Sequence, residues 1–103
     1  MIQNIKIVVP DYLKFVKKKP CAVLHIHAGP LDAHHLRSVG WKQWKRNDLT
    51  VVPLCRAAHT EIEQIGQFGF YEKYHVNLWK EAFYLLLEYA VKKEWVKIYD
   101  HRN

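Results

Sequence analysis

Asp32-Ala33-His34-His35-Leu36 and, further on, Pro53-Leu54-Cys55-Arg56-Ala57-Ala58-His59-Thr60-Glu61-Ile62-Glu63 bound the stretch on which the reading of this chain turns. A histidine pair sits on a short apolar run, and a third histidine precedes a glutamate by four positions. Nitrogen and oxygen donors in that order suit a divalent metal. The intervening segment carries Arg37, Trp41, Lys42, Trp44, Lys45 and Arg46, so cations and flat rings stand beside the donors. Such a mixture suits phosphates and unstacked bases, because cations neutralise the backbone and rings stack. Trp41 and Trp44, three apart, can equally close the core from a helical turn.

Working outward, Leu31 to Leu36 reads as a strand, and neighbours on a strand face opposite sides. One histidine can therefore face a metal while the other points elsewhere. Leu49 to Leu54 is apolar enough to be its hairpin partner, with Pro53 tolerated near the end. A helix from Arg56 to Ile65 follows, ended by Gly66, and it puts His59 and Glu63 one turn apart on one face. Glu61, at i+2, faces away from His59.

Before this stretch, Ile2 to Val9 forms a β-branched strand or extended arm that stops at Pro10. Asp11 is placed to cap a helix with Tyr12, Leu13, Phe15 and Val16 as its apolar stripe and Lys14, Lys17, Lys18 and Lys19 toward its end. Pro20 terminates it. From Cys21 to His27 the alternation puts Cys21, Val23, His25 and His27 on one strand face, and a second metal site drawing on Cys21, Cys55, His25 or His27 stays open. Ala28-Gly29-Pro30 is a turn. After the stretch, Gln67 to His75 is a connector or short helix whose Phe68, Phe70, Tyr71 and Tyr74 read as core aromatics. Asn77 caps a long helix to about Lys93, with Leu78, Trp79, Ala82, Phe83, Leu86, Tyr89 and Ala90 at helical spacing. Leu85 and Leu87 widen that face, so the helix either lies deep or offers surface to a second copy. Trp95 to Tyr99 is a closing strand or a tail.

The whole of 103 residues, half of them apolar and 14% aromatic, is read as one domain with a modest core. No apolar run approaches the roughly 18 residues of a membrane span. The amino terminus lacks a secretory pattern, which points to the cytoplasm, where two cysteines are expected as buried thiols. A formal charge of +6 favours encounter with nucleic acid.

Taken in order, these motifs resemble the HNH (His-Asn-His) endonucleases, particularly the small phage and prophage branch that includes recombination-enhancement nucleases. The likeness is carried by Asp32-Ala33-His34-His35-Leu36, Asp48, Pro53-Leu54-Cys55-Arg56, His59, Glu61, Glu63 and Gly66, and covers about residues 20–77. It implies an α+β fold: a ββα-metal hairpin-plus-helix core over about 20–66, with an N-terminal helix and a long C-terminal helix (about 77–93) packed on it. It further implies His34 and His59 as metal ligands, Glu63 as the third where many relatives have histidine, and His35 as general base. Asp48, or Asn47 beside it, stands for the middle Asn and would orient His35. Oxygen from Glu63 favours Mg2+ or Mn2+, with Zn2+ the alternative. Many relatives carry a structural zinc held by paired cysteines; here Leu24 and Ala58 occupy the partner positions, so that zinc is lost.

A neutral imidazole, titrating at about 6.5, can take a proton from water at physiological pH, and a held cation stabilises a departing oxygen. The implied activity is metal-dependent DNA hydrolysis to 5′-phosphate and 3′-hydroxyl ends. DNA, single-stranded or branched forms included, would be met by Arg37, Lys42, Lys45, Arg46, Arg56, Trp41 and Trp44. No membrane is expected as a partner, and a second copy or a recombination protein is the further partner expected. Two readings compete: a nucleic-acid-binding module that has lost cleavage, and a metal-stabilised protein-interaction domain using the aromatic C-terminal helix.

Overall fold

The computed structural model describes residues 6–23, 30–36 and 46–99. Among them run β1 (Lys6–Ile7), α1 (Pro10–Lys17), β2 (Leu31–His35), β3 (Arg46–Asn47), a 3-10 turn (Asp48–Thr50), β4 (Val51–Cys55), α2 (Arg56–Tyr74) and α3 (Leu78–Lys92), an α+β arrangement. β2 and β4 pair antiparallel, with His34 opposite Val52 and His35 opposite Val51. β1 pairs in parallel with β3, Ile7 lying opposite Asn47.

Every residue of β4 is buried, which explains its nearly unbroken apolar run. Val52, Leu54 and Cys55 join a core with Ala58, Ile62 and Phe70 of α2 and Leu78 and Ala82 of α3. Val51 and Ala33 join a second core with Tyr12 and Val16 of α1 and Tyr89 of α3. The hairpin is thus packed on both faces, and its histidine pair is held between elements from both ends of the chain.

Several local expectations are corrected. Asp11 does not cap α1: the helix starts at Pro10, with Val9 as the N-cap residue. Proline fits the first helical position because it has no N–H to leave unpaired and its φ is already helical, which leaves Asp11 inside the first turn. The second strand begins at Val51 rather than Leu49, because the Asn47 side chain accepts from the Leu49 N–H at 2.9 Å and curls 48–50 into the 3-10 turn. Cys21 to Val23 form no strand; Ala22 N–H donates to the Pro53 carbonyl at 2.8 Å while Cys21 and Val23 are buried. Residues 24–29 lie outside the described residues, as does the basic loop 37–45.

Gly66 breaks the helical path as anticipated, with φ 82° and ψ 163°, but helix resumes after it and α2 reaches Tyr74. Glu61 accepts from both Lys73 and Tyr74 beyond the bend, tying the second half of α2 back to the first. His75, in the left-handed conformation, closes α2, and Asn77 caps α3 by accepting from the Lys80 N–H at 3.1 Å. Of the connector aromatics, Phe70 is buried and packs on Tyr74, whereas Phe68 and Tyr71 are exposed. Trp79 and Phe83, counted into the stripe of α3, are exposed too; the buried stripe is Leu78, Ala82, Tyr89 and Ala90. Residues 95–99 form a tail without a strand, with the Trp95 ring edge-on to Tyr89 at 5.5 Å.

Candidate metal centre

Direct succession of β4 and α2 brings the first turns of the helix against the middle of the hairpin. His59 lies one turn into α2 and Glu63 one turn further, facing His34 on β2. His34 Nδ1 is 3.9 Å from Glu63 Oε1, His59 Nε2 is 3.6 Å from the same oxygen, and the two imidazole rings meet edge-on with centroids 4.9 Å apart. One donor atom from each residue lies within 4.8 Å of the others. An ion about 2.1 Å from each donor spans atoms up to about 4.2 Å apart, so both glutamate distances already lie within reach. His34 is buried, while more than half of the Glu63 side chain is exposed, leaving the cluster open to solvent on one side. Among the described residues no second group of three such donors comes together.

Behind His59 stands Asp32, whose Oδ2 lies 3.0 Å from His59 Nδ1. Asp32 also accepts from Arg56, Nε at 3.0 Å and Nη2 at 3.4 Å. The hydrogen bond from His59, supported by Arg56, holds the Asp32 carboxyl below the ordinary carboxylate range against the upward push of burial. Local pattern gives Asp32 no role of its own at the site. Its signal was the strand period, which sets residues 32 and 34 on the same side of β2.

The second histidine of the pair points to a different carboxylate. His35 Nε2 is 2.8 Å from Oδ1 of Asp48, which has no solvent exposure. Asp48 also accepts from Arg46 Nε at 2.8 Å, Arg46 Nη2 at 3.3 Å and the Val9 N–H at 2.7 Å. Burial alone would raise its carboxyl; hydrogen bonds from Arg46, His35 and Val9, with the charge of Arg46, outweigh it and lower the value to about 2. An anionic Asp48 can only accept, so His35 donates from Nε2 and a neutral ring keeps its lone pair on Nδ1. Asp48 is therefore the partner of His35, and the adjacent Asn47 instead caps the 3-10 turn.

A cleft of about 500 Å3 is lined by both His35 and His59, together with Asp32, Arg56 and Lys17. By pattern Lys17 belongs only to a lysine-rich helix end; its position at the cleft follows from how α1 docks on the hairpin, which no local pattern encodes. Arg56 lies at the cleft paired with Asp32 and with most of its side chain exposed, whereas Arg46 is turned to the buried Asp48. Arg37, Trp41, Lys42, Trp44 and Lys45 lie outside the described residues, as do His25 and His27. Cys21 and Cys55 are buried free thiols, the Cys55 N–H pointing at Cys21 Sγ at 3.4 Å. Burial pushes the Cys21 thiol up.

The family model described as "Protein of unknown function (DUF968)" matches residues 3–92. The chain is 38% identical over 69 residues to a protein of Escherichia coli (strain K12) described as "Uncharacterized protein YdfU". That match covers 65% of this chain and 19% of the relative, so the chain spans only a small part of the relative's length. No solved structure gives a significant match.

Proposed function

Starting from the fact that the chain belongs to the DUF968 family, we propose that it is a metal-dependent DNA endonuclease of HNH type, working in the cytoplasm. It would hydrolyse phosphodiester bonds to 5′-phosphate and 3′-hydroxyl ends, in phage- or prophage-linked DNA recombination or processing. The observation that carries the reading is the convergence of His34, His59 and Glu63 within 4.8 Å, beside a cleft that His35 and His59 line together.

Each residue then has a task its geometry supports. His34, His59 and Glu63 would hold one divalent cation, Mg2+ or Mn2+ in preference to Zn2+ because one donor is carboxylate oxygen. When bound, that cation supplies Lewis-acid charge to the phosphate and stabilises the departing 3′ oxygen. His35, donating to Asp48 through Nε2, keeps Nδ1 to accept a proton from water in the cleft. Asp48 fixes the ring and its tautomer. Arg56 and Lys17 bring positive charge to the same cleft, where a phosphate would sit.

The deciding experiment is a supercoiled-plasmid assay with Mg2+, Mn2+ or Zn2+, with EDTA as control, wild type beside His35→Ala. Nicking or cutting by the wild type, lost with EDTA and with His35→Ala, is the expected result. Intact but retarded plasmid in every metal would instead identify a binding module. Exposed Trp79, Phe83 and Leu87, spaced one turn apart on α3, favour as second reading a metal-stabilised interaction domain. That reading predicts neither retardation nor cleavage, and loss of fold on chelation.

A further inference from the structure

We infer that Asp32 is a positioning residue for the metal centre: it orients His59 so that the ring presents Nε2 to His34 and Glu63. The inference rests on the metal-centre reading above and adds to it a residue outside the ligand set. Two distances carry it. Asp32 Oδ2 lies 3.0 Å from His59 Nδ1, and on the other side of the same ring Nε2 lies 3.6 Å from Glu63 Oε1.

The chemistry follows from what each atom can do. A carboxylate is acceptor-only, so the nitrogen facing Asp32 must carry the proton. In the neutral ring the lone pair then resides on Nε2, the nitrogen that faces the cluster. An imidazole in free exchange prefers the opposite tautomer, with the proton on Nε2, where it would block a ligand atom. Asp32 removes that alternative, and its negative charge makes Nε2 a stronger donor.

Asp32 is itself held from turning away. Arg56 grips it through Nε and Nη2, at 3.0 and 3.4 Å, and its strand position opposite Leu54 is set by the hairpin register. Asp32 and His34 both leave β2 on the side of α2, so one strand face supplies a ligand and the support of a second ligand. The same carboxylate keeps Arg56 at the rim of the cleft, which couples the ion's coordination to the cation placed to meet a phosphate.

The test uses the full chain as wild type, Asp32→Asn and Asp32→Ala. Long-range 1H–15N spectra of the histidine rings, without metal, read the tautomer directly, and titration calorimetry with Mn2+ reads the affinity. In the wild type, His59 should carry its proton on Nδ1. Asp32→Asn, nearly isosteric and still offering a carbonyl acceptor, should keep that tautomer and lose a fewfold in Mn2+ affinity. Asp32→Ala should move the proton largely to Nε2 and weaken Mn2+ by about 10- to 100-fold. A purely structural Asp32 would alter melting temperature without changing the tautomer. Wild-type His59 protonated on Nε2, or Asp32→Ala binding Mn2+ as tightly as wild type, would overturn the inference. A wild type that binds no Mn2+ overturns the metal-centre reading itself and with it the role of Asp32 there, while the tautomer spectra still report whether Asp32 sets the ring.

Discussion

His35 Nε2 lies 2.8 Å from Oδ1 of Asp48, and that carboxylate, with no exposure to solvent, also receives Arg46 and the Val9 backbone. One buried acid therefore joins the candidate base to β3 and to the start of α1. Because breaking a buried charged network by removing one member strands the others, Asp48→Ala should cost about 3–5 kcal/mol in urea unfolding. His35→Ala should abolish cleavage yet leave Mn2+ affinity within a few-fold of wild type. Normal cutting by His35→Ala would remove His35 as the base.

The same carboxylate sets a pH dependence. Its folded value, about 2, is below its ordinary 3.8. A depressed folded value means stability present above the unfolded value and lost as pH falls through the folded one. Asp48 should therefore contribute fully above about pH 5 and lose, between there and about pH 2, on the order of 2 kcal/mol. Urea titrations from pH 6 to 2.5 should show a shallower fall for Asp48→Asn than for wild type. Parallel curves would mean the group is not perturbed.

At the candidate metal centre, removal of a proposed ligand should be read as affinity before activity. His59→Ala takes away a partly buried nitrogen 3.6 Å from Glu63 and should weaken Mn2+ at least tenfold by calorimetry. In the wild type, Mn2+ at a hundred times its dissociation constant should stabilise the fold by about 2.7 kcal/mol, an increment that EDTA reverses. An unchanged affinity for His59→Ala excludes it from the ligand set.

Gly66 adopts φ 82° and ψ 163°, a region open essentially to glycine alone, yet nothing lies within 4 Å of where a Cβ would be. The cost of Gly66→Ala is therefore backbone strain without steric clash, about 1–3 kcal/mol. Thermal melts should fall accordingly, and the Glu61 contacts to Lys73 and Tyr74 across the bend should loosen. A neutral substitution would show that α2 can straighten freely.

Tyr12 is fully buried between Phe15 and Tyr89, and its hydroxyl has no hydrogen-bond partner among the described residues. Burial, with Glu88 nearby, pushes the phenol up to about 12, so it stays neutral. Tyr12→Phe removes the unsatisfied group and keeps the ring contacts, and should stabilise by about 1 kcal/mol. A lower melting temperature would reveal a partner for the hydroxyl.

Local pattern was sufficient for β2, β4, the start of α2 and α3, and for which donor-bearing residues share a face. Strand alternation separated His34 from His35, the i,i+4 spacing aligned His59 with Glu63, and Gly66 and Asn77 marked real breaks, because each of these is a short-range consequence of backbone geometry. The cap and strand boundaries near Asp11 and Leu49 depart from local pattern because a proline and an asparagine side chain offer the backbone a competing arrangement. What no local pattern encodes is which distant groups meet. Tertiary packing alone decided that Asp48 is buried against Val9 and Arg46, that Lys17 enters the cleft, that Asp32 backs His59, and that Trp79 and Phe83 face solvent. Periodicity reports which residues share a face, whereas the partner of that face depends on how β1, α1 and α3 close over one hairpin.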